Sequence, residues 1–342
     1  MRILITGGAG FIGCNLAAHF IRAGHAVTLF DNLSRGGSAA NLAWLRDQFG
    51  ETFTLARGDV RDAAAIEQAA RGQEVILHLA AQVAVTTSVA QPREDFEINA
   101  LGTFNTLEAA RASGLNPAFF YTSTNKVYGG MEAEGVKEGA TRYAFERLMG
   151  GVPETFPLDF HSPYGCSKGT GDQYVRDYHR IYGLPTVVFR QSCIYGLRQF
   201  GVEDQGWLAY FAICAALGRP ITIYGDGKQV RDVLFIEDLV RAFELALAHI
   251  ARTAGQIYNI GGGPQSQLSV WRETGPLLAE LAGHPLEVRY GGWRPGDQRI
   301  YVSDISRAKA DFGWEPRIAP REGLKRLWHW VMENRALFET KA

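Results

Sequence analysis

Short apolar runs alternate with amphipathic segments along the first half of the chain. The runs RILIT, AVTLFD, FTLARGDV, EVILHLAA and NPAFFYTST have the length and composition of buried strands. Helical spacing follows several of them, as in FIGCNLAAHFIRAG and NALGTFNTLEAARASG. Strands that are apolar on both faces are typical of parallel sheets covered by helices on each side. The pattern therefore predicts an α/β fold with a doubly wound parallel sheet, in which ligands bind beyond the carboxyl ends of the strands.

The pattern changes after LPTVVFR, where Gly, Pro and aromatic residues become more frequent as far as Tyr301. The later segment GQIYNIGGG has the pattern of a strand that returns to the sheet. We expect a larger domain over residues 1–185 and a smaller lobe over residues 186–342, with segments that return to the first. Residues 130–157 are rich in Glu and Gly and poorly periodic, which predicts a long insertion of functional or mobile character.

The charge balance and the cysteine spacing argue against several classes of protein. Lys+Arg 35 against Asp+Glu 36 gives a net charge of -1, without the basic excess that is typical of nucleic-acid binders. The four cysteines have no CxxC spacing, which argues against a metal site or a disulfide framework and favours a cytoplasmic location. The chain opens on a strand without a signal peptide. The apolar stretch WLAYFAICAALG is shorter than the roughly 20 residues that span a bilayer, so it predicts a buried helix and no membrane partner.

A glycine-rich turn, ITGGAGFIG, joins the first strand to the first helix. Gly7, Gly10 and Gly13 let a diphosphate approach the helix N-terminus, where amide groups and the helix dipole stabilise negative charge. Asp31 ends the second strand about 20 residues further on, the spacing of a dinucleotide site. Its carboxylate would accept hydrogen bonds from ribose hydroxyls and repel a 2′-phosphate, which favours NAD over NADP. Arg35 weakens this inference a little, because its guanidinium could bind a phosphate.

The segment SPYGCSK places Tyr164 and Lys168 one helical turn apart on the same face. A tyrosine with a pKa near 10 is a poor base at neutral pH, but an ammonium group beside it, together with a positive nicotinamide ring, would favour the phenolate and lower that pKa. The phenolate could then take a proton from a sugar hydroxyl while a hydride leaves the same carbon for NAD. Tyr-x-x-x-Lys also occurs by chance on helices. The glycine turn, Asp31 and the hydroxyl cluster of TSTNKVYG make the catalytic interpretation the stronger one here.

Asp59, in RGDVRD after the third strand, has two interpretations that the sequence leaves open. Its carboxylate could cap the following helix, or it could contact the adenine amino group of a dinucleotide.

Together these motifs resemble the extended short-chain dehydrogenases/reductases, in the branch that modifies nucleotide sugars, along nearly the whole chain. The resemblance implies a Rossmann domain with NAD and the catalytic residues over 1–185, and a lobe mainly for a nucleotide sugar over 186–342. It implies that Thr124 orders the substrate hydroxyl beside Tyr164, that HLAAQ lines the nicotinamide, and that Asn99 bends a helix behind the site. The implied cofactor-binding set is Gly7, Gly10, Phe11, Ile12, Gly13, Asp31, Asn32, Ser34, Arg35, Asp59, Val60, Leu79, Ala80, Ala81, Gln82, Asn99, Tyr164 and Lys168.

The segments GDGKQVRDVLFIEDL and WRPGDQRIYVSD match the substrate-lobe motifs of this branch. They imply that Arg231, Arg294 and Asp297 lie at the diphosphate and nucleotide, and arginine forks do suit phosphate oxygens. The implied substrate-binding set is Ser123, Thr124, Asn125, Lys126, Cys193, Arg198, Gln199, Gln205, Arg231, Arg294 and Asp297. Lys126 has two open interpretations, since it could face the sugar or cap the insertion that follows.

The two residues after Thr124 bear on the reaction. Dehydratases of this branch carry Asp-Glu there to expel a hydroxyl as water, whereas Asn125 and Lys126 offer no carboxylate. The set TSTNKVYG, PLDFHSPYGCSKG, VVFRQSCIYGLRQF and DQGW is instead similar to 2-epimerases of this branch that act on CDP-hexoses. Cys193 also replaces an Asn that is frequent in epimerases of the UDP-galactose type.

The resemblance therefore implies C2 epimerisation of a CDP-linked hexose with tightly bound NAD. Two alternatives stay open: a UDP-sugar 4-epimerase that uses the same residues, and a non-catalytic NAD-binding regulatory protein. The resemblance further implies a homodimer formed through the helices near NALGTFNTLEAAR and GTGDQYVRDYHRIYG.

Overall fold

The computed structural model describes residues 1–294 and 297–339, and strands alternate with helices in its first part as predicted. In chain order the elements as far as the end of the fifth strand are β1 (Arg2–Thr6), α1 (Phe11–Arg22), β2 (Ala26–Asp31), α2 (Ser38–Phe49), β3 (Phe53–Arg57), α3 (Ala63–Ala70), β4 (Val75–His78), α4 (Val85–Ala90), α5 (Pro92–Phe96), a π-helical turn (Glu97–Leu101), α6 (Gly102–Ala112) and β5 (Ala118–Thr124). A 3₁₀ turn (Asn125–Tyr128), β6 (Val136–Glu138), β7 (Tyr143–Phe145), α7 (Ser162–Tyr182) and β8 (Thr186–Gln191) follow.

The second part of the chain has shorter strands and more turns. Its elements are β9 (Ile194–Tyr195), α8 (Trp207–Ala216), β10 (Ile221–Tyr224), β11 (Val230–Asp232), β12 (Leu234–Phe235), α9 (Ile236–Ala248), α10 (Ile250–Thr253), β13 (Gln256–Ile260), β14 (Gln267–Ser269), α11 (Thr274–Ala282), β15 (Val288–Gly291), β16 (Ile300–Tyr301), α12 (Ser306–Phe312), α13 (Pro320–Glu333) and α14 (Ala336–Glu339). The stretch predicted to be a buried helix forms α8, and eight of its ten residues are buried. Within the described ranges, no helix is long and apolar enough to cross a membrane.

Seven strands form one parallel sheet in the order β13-β8-β5-β4-β1-β2-β3, which confirms the doubly wound fold. Both faces of the sheet are covered, because Ile3 and Ile5 of β1 pack into one apolar cluster and Leu4 packs into another. β1 lies between β2 and β4, so the order of the strands reverses there. The reversal opens a crevice at the carboxyl ends of β1 and β4, where such sheets bind ligands. β13, the predicted returning strand, pairs in parallel with β8.

The insertion over residues 130–157 is a packed part of the molecule. β6 and β7 form an antiparallel pair within it, and Val152 bridges to Ser303 in the C-terminal part of the chain. Its apolar side chains, such as Phe145, join a cluster with Val230 and Tyr301. The segment that begins directly after the hydroxyl cluster of β5 is therefore fixed against the second lobe.

Candidate active site

The glycine-rich turn between β1 and α1 approaches the loop after β4 closely. Gly7 has a φ of 66°, and a Cβ there would lie 2.9 Å from the amide nitrogen of Ala80. A Cβ at Gly13 would collide with the carbonyl of Gly7. No side chain caps α1, and its first turn lines a cleft, so the helix N-terminus offers its amide groups and dipole to an anion.

Asp31 ends β2 at the edge of the same cleft. One carboxylate oxygen accepts the amide of Ala9 at 2.9 Å, and the other accepts the amide of Leu33 at 2.7 Å. Each oxygen keeps lone-pair capacity for a further donor such as a ribose hydroxyl. Arg35 also lines the cleft, and it donates to Gln205 of the second lobe at 2.7 Å. The uncapped helix, the small turn residues and this carboxylate fit the adenosine diphosphate part of NAD.

Asp59 is not a helix cap, so one of its two interpretations is wrong. Asp62 caps α3 instead, because its carboxylate accepts the amides of Ala64 at 3.0 Å and Ala65 at 3.1 Å. Asp59 lies in the loop after β3 and forms an ion pair with Arg61 at 2.8 Å, which lowers the pKa of Asp59 to about 2. Its carboxylate lines the cleft as an anion, and the contact with adenine stays a prediction.

The cleft has a volume of about 1130 Å³. The predicted cofactor-binding residues all line it except Gln82 and Asn99. The prediction for Gln82 is not supported, because its side chain donates to the carbonyl of Ala84 at 2.8 Å and folds onto its own loop. The sequence analysis missed wall residues that lie beside the predicted ones or at the neighbouring strand ends, namely Phe30, Ser38, Gly58, Val83, Ile98, Thr122 and Gln191.

Asn99 lies behind the cleft, within the π-helical turn between α5 and α6. Its side-chain amide makes two hydrogen bonds with the backbone of Gln82 in the loop after β4. The side-chain oxygen accepts one from the Gln82 N–H at 2.9 Å, and the side-chain nitrogen donates one to the Gln82 carbonyl at 3.0 Å. The same nitrogen also lies 3.1 Å from the hydroxyl of Ser167 on α7. The irregular helix predicted around Asn99 is present, and it connects the cofactor loop to the helix that carries Tyr164.

Tyr164 and Lys168 lie on α7 and face the cleft, while Thr124 ends β5. Burial raises the pKa of Tyr164 to about 12, and the neighbouring Thr124 side chain partly opposes this effect. The lowered pKa was predicted for Tyr164 beside both Lys168 and the positive nicotinamide ring, so it stays a prediction. The Lys168 ammonium lies 4.3 Å from the centre of the Tyr121 ring, and burial lowers the pKa of Lys168 to about 7.

Asp95 on α5 is a buried carboxylate that the sequence analysis missed. It accepts hydrogen bonds from the hydroxyl of Ser167 at 2.5 Å and from the side-chain nitrogen of Asn99 at 3.1 Å. The residue is 1% exposed. Its charge raises the pKa of Lys168, partly opposing the effect of burial. The sequence signal was its position four residues before Asn99, which places both side chains on one helical face.

A second part of the cleft, of about 780 Å³, adjoins the hydroxyl cluster and extends under the second lobe. The predicted substrate residues in its wall are Ser123, Thr124, Asn125, Cys193, Gln199 and Gln205. None of its wall residues is Asp, Glu, His, Lys or Arg, and Trp207 donates its indole N–H to the Cys193 sulfur at 3.5 Å. The Ser123 hydroxyl is bound to Asp172 at 2.7 Å. We name this part the substrate cavity.

Lys126 lies with charged residues of the second lobe. Its ammonium donates to Gln298 at 3.2 Å, and Arg231 forms an ion pair with Asp297 at 2.7 Å. Burial, with the positive charge of Arg231, lowers the pKa of Lys126 to about 8, and Cys193 of the substrate cavity is close enough to act on it. This placement favours the substrate interpretation of Lys126 over the capping one.

The prediction of Arg198 as a substrate residue is not supported. Its guanidinium lies 4.4 Å from the centre of the Trp44 ring in a separate cavity, although its neighbour Gln199 lines the cleft. Arg294 stacks at 3.8 Å on Tyr224 and its contact with a diphosphate stays a prediction. Residues 295 and 296 of the motif WRPGDQ lie outside the described residues.

Possible metal ligands cluster on the surface, outside the cleft. Among the described residues, Glu132, Asp159 and His161 are the one such group, and all three are exposed.

Comparisons with known proteins agree with this geometry. The model of the NAD dependent epimerase/dehydratase family matches residues 3–261. The chain is 42% identical to CDP-paratose 2-epimerase of Salmonella typhi over 338 residues, which are 97% of this chain and 99% of the relative. Its fold is similar to that of UDP-glucose 4-epimerase from Thermotoga maritima solved with UDP-glucose, with a TM-score of 0.84, 32% identity, and coverage of 98% of this chain and 100% of the other. It is also similar to dTDP-glucose 4,6-dehydratase from Streptomyces venezuelae solved with NAD, with a TM-score of 0.85, 30% identity and coverage of 99% of both chains.

Proposed function

Because the chain belongs to the NAD dependent epimerase/dehydratase family, we propose that it is an isomerase that inverts C2 of a CDP-linked hexose. The reaction would be of the type that converts CDP-paratose to CDP-tyvelose, with NAD held tightly and recycled in each turnover. The 42% identity to a CDP-paratose 2-epimerase along nearly the full length of both chains supports the substrate.

The substrate cavity is the observation that carries an epimerase over a dehydratase. Expulsion of a hydroxyl as water needs an acid for the leaving group and a base for the neighbouring carbon. The walls of the substrate cavity contain the phenol of Tyr164 and the hydroxyl of Thr124, but no carboxylate, imidazole or ammonium group. Removal and return of a hydride at one carbon need one proton carrier, and the phenol of Tyr164 can serve as that carrier.

The roles of the chain's own residues follow from their positions. A bound NAD supplies the acceptor and then the donor of one hydride, together with a positive charge in its oxidised form. Tyr164 takes the proton of the C2 hydroxyl as the hydride leaves C2, and Thr124, which lies with Tyr164 in the wall of the substrate cavity, orients that hydroxyl. Lys168 favours the phenolate through its positive charge. After the 2-keto sugar has turned its other face, Tyr164 returns the proton to the oxygen as the hydride returns to C2.

The charged group formed by Lys126 and Arg231 would hold the diphosphate while the sugar turns. Both side chains are largely enclosed, and Arg231 is 7% exposed. A cation in a low-dielectric setting attracts a diphosphate more strongly than one in water. The sugar must present both faces of C2, and this requires a fixed diphosphate and a sugar that is free to turn.

The direct test is incubation of the purified protein with CDP-, UDP- and GDP-hexoses, followed by proton NMR. We expect inversion at C2 of a CDP-hexose and, in deuterated water, no deuterium at C2 of the product, because the hydride returns within the site. Inversion at C4 of UDP-sugars alone would instead favour a UDP-sugar 4-epimerase, and the similarity to a UDP-glucose 4-epimerase makes this the second candidate. The absence of any turnover would favour a regulatory NAD-binding protein.

We also propose a homodimer that forms through α6 and α7. Both helices carry exposed aromatic or aliphatic side chains, and Phe104 of α6 meets Tyr174 of α7 with ring centres 6.0 Å apart. Ile181 and Tyr182 extend this apolar surface to the end of α7, with 65% and 54% exposure. Contiguous exposed apolar patches mark protein interfaces.

Free thiols at all four cysteines support a cytoplasmic location.

A further inference from the structure

A second cavity, of about 1110 Å³, lies against the later turns of α1. We name it the rear cavity. Its walls come from α1, α2, the loop after β9, α9 and α13, whereas the cofactor part of the cleft uses the first turn of α1. The charged and aromatic side chains that matter here are Arg22, Trp44, Arg198, Arg241 and Trp330. None of them lines the cleft, so the rear cavity has no part in the proposed epimerisation.

Arg198 is held at the rear cavity between two indole rings. Its guanidinium carbon lies 4.4 Å from the centre of the Trp44 ring and 5.7 Å from that of Trp330. Stacking on aromatic faces fixes the plane of a guanidinium and leaves its N–H groups at the edge for hydrogen bonds. Over residues 1–294 and 297–339 that guanidinium has no carboxylate or hydrogen-bond acceptor.

One acidic group of the rear cavity is already paired, because Glu237 accepts a hydrogen bond from Arg326 at 3.0 Å. Glu244 lies 3.4 Å from the ring of His19, a contact that is an ion pair only when the imidazole is protonated. The third arginine of the wall, Arg241, is neutralised by Asp238 at 2.9 Å.

Two positive charges are left without a counter-ion within the described residues. Arg198 is one of them, and Arg22 is the other, since its guanidinium contacts the ring of Phe49 but no carboxylate. Partial burial lowers the pKa of Arg198, which reflects the cost of removing its charge from water. An anion in the cavity would offset that cost, because a buried guanidinium is stabilised by charge-assisted hydrogen bonds.

The backbone conformation of Arg198 is a second observation that supports a functional role for this residue. Its φ of 69° is rare for a residue with a side chain and costs energy that the surrounding structure must offset. The conformation is held from outside, because the side-chain amide of Asn41 donates to the Arg198 carbonyl at 3.3 Å and that of Asn15 donates to the Leu197 carbonyl at 3.0 Å. The Arg198 side chain lies in the wall of the rear cavity.

We propose that the rear cavity binds a small phosphate-bearing anion, with Arg198 as its principal ligand and Arg22 as a second. Two arginines without counter-ions present the paired donors that phosphate oxygens accept.

One side chain connects the rear cavity to the glycine-rich turn through hydrogen bonds. Asn41 donates to the carbonyl of Arg198 at 3.3 Å and to the carbonyl of Ala9, within the glycine-rich turn, at 3.2 Å. The segment that leaves Arg198 continues to Gln199 and Gln205 in the walls of the substrate cavity.

The test is isothermal titration of the NAD-loaded protein with inorganic diphosphate, and then with glucose 1-phosphate. For diphosphate we expect two sites in the wild type, one lost in Arg198→Gln and the other lost in Arg231→Gln. Arg22→Gln should weaken the Arg198-dependent site by about 10-fold, the effect of losing one charged hydrogen-bonding partner. Arg46→Gln, an exposed arginine of α2 outside the cavity, is the matched control and should change neither site.

The outcomes separate this proposal from the proposed function. Identical titrations of the wild type and Arg198→Gln would overturn the rear site, whatever the substrate panel shows. If Arg198→Gln does not fold, Arg22→Gln decides, since its side chain is exposed and an unchanged titration would count equally against the site. Binding of glucose 1-phosphate at the Arg198-dependent site would identify a phosphorylated metabolite as the occupant, and binding of diphosphate only would identify the inorganic anion.

Discussion

The cofactor end of the active cleft comes mostly from residues 7–98, whereas the substrate cavity is assembled from more distant stretches of the chain. The glycine-rich turn, Asp31 and the loop after β4 follow one another at successive strand ends of the same sheet. At the substrate end, Lys126 meets Gln298 across 172 positions of the chain. The first end depends on the local order of strand, turn and helix, and the second depends on how the two lobes pack.

The difference predicts that the two ends can be damaged separately. Side chains at the cofactor end are held by hydrogen bonds from backbone amides. Asp31, for example, accepts hydrogen bonds from the amides of Ala9 and Leu33. Charges at the substrate end are held mainly by one another, as in the ion pair between Arg231 and Asp297. A substitution at one end should therefore leave ligand binding at the other nearly unchanged.

Tyr164→Phe should have the largest effect, because the phenol lies between the two ends and carries the proton. We expect kcat to fall by about 10²- to 10⁴-fold, the usual contribution of general acid–base catalysis. The amount of NAD that co-purifies and the Kd for the CDP-hexose should stay within about twofold of wild type, as measured by absorbance and calorimetry. Retention of full turnover would show that another group moves the proton.

Asp31→Ala should damage the cofactor end alone. Loss of a carboxylate that accepts charge-assisted or ribose hydrogen bonds should weaken NAD binding by about 10- to 100-fold. Affinity for the CDP-hexose in the presence of saturating NAD should be unchanged, as measured by calorimetry. Asp59→Asn tests the other predicted carboxylate contact, and an equal loss of NAD in both variants would support the contact between Asp59 and adenine.

Lys126→Met should damage the substrate end alone, with substrate binding about 10-fold weaker and NAD retention unchanged. The effect should depend on pH. Since the pKa of Lys126 is about 8, its positive charge is present below that pH and lost above it. Wild-type affinity for the CDP-hexose should therefore fall as the pH rises through about 8, and Lys126→Met should lack this step.

The control for Lys126 is Lys137→Met, which removes an exposed lysine from β6 of the insertion. Its titration should match wild type at every pH. A pH step that persists in Lys126→Met would assign it to another group.

Asp95→Asn should have the smallest effect and should appear mainly in the pH profile. Asp95 raises the pKa of Lys168 toward its ordinary value, so removal of the carboxylate should lower that pKa below about 7. Lys168 then loses its charge at lower pH, and the alkaline limb of kcat against pH should move to lower pH, with less than a 10-fold loss at pH 7. Glu94→Gln, a more exposed neighbour on α5, should leave the profile in place.

Much of the cofactor end could be predicted because periodicity and strand ends are local properties. The runs that gave β1, β2, β4 and β5 also placed Gly7 and Asp31 at the edge where the cleft opens. The spacing of Tyr164 and Lys168 placed both on one face of α7. Asp95 was missed, although its spacing from Asn99 was visible, because nothing in the sequence says that this helix is buried against α7.

Properties that depend on burial or on loop direction were predicted poorly. Burial acts on the pKa of Tyr164 in the direction opposite to the predicted effect of Lys168 and the nicotinamide ring, and burial is set by residues distant in the chain. Arg198 was assigned to the substrate because its neighbours belong to the right motif. Its side chain lies instead in a separate cavity, and its backbone has a positive φ. Asp59 was given a capping role as one alternative, and the cap belongs to a carboxylate three residues later.

The sequence by itself determined the doubly wound sheet, the dinucleotide turn and the pair on α7, because these depend on the spacing of residues along one element. The tertiary structure alone decided which polar side chains share a cavity and how strongly their charges interact. It placed Lys126 beside Arg231 and left the substrate cavity without a carboxylate. Contacts between lobes and the desolvation of charged groups depend on packing in three dimensions, and no spacing along the chain encodes them.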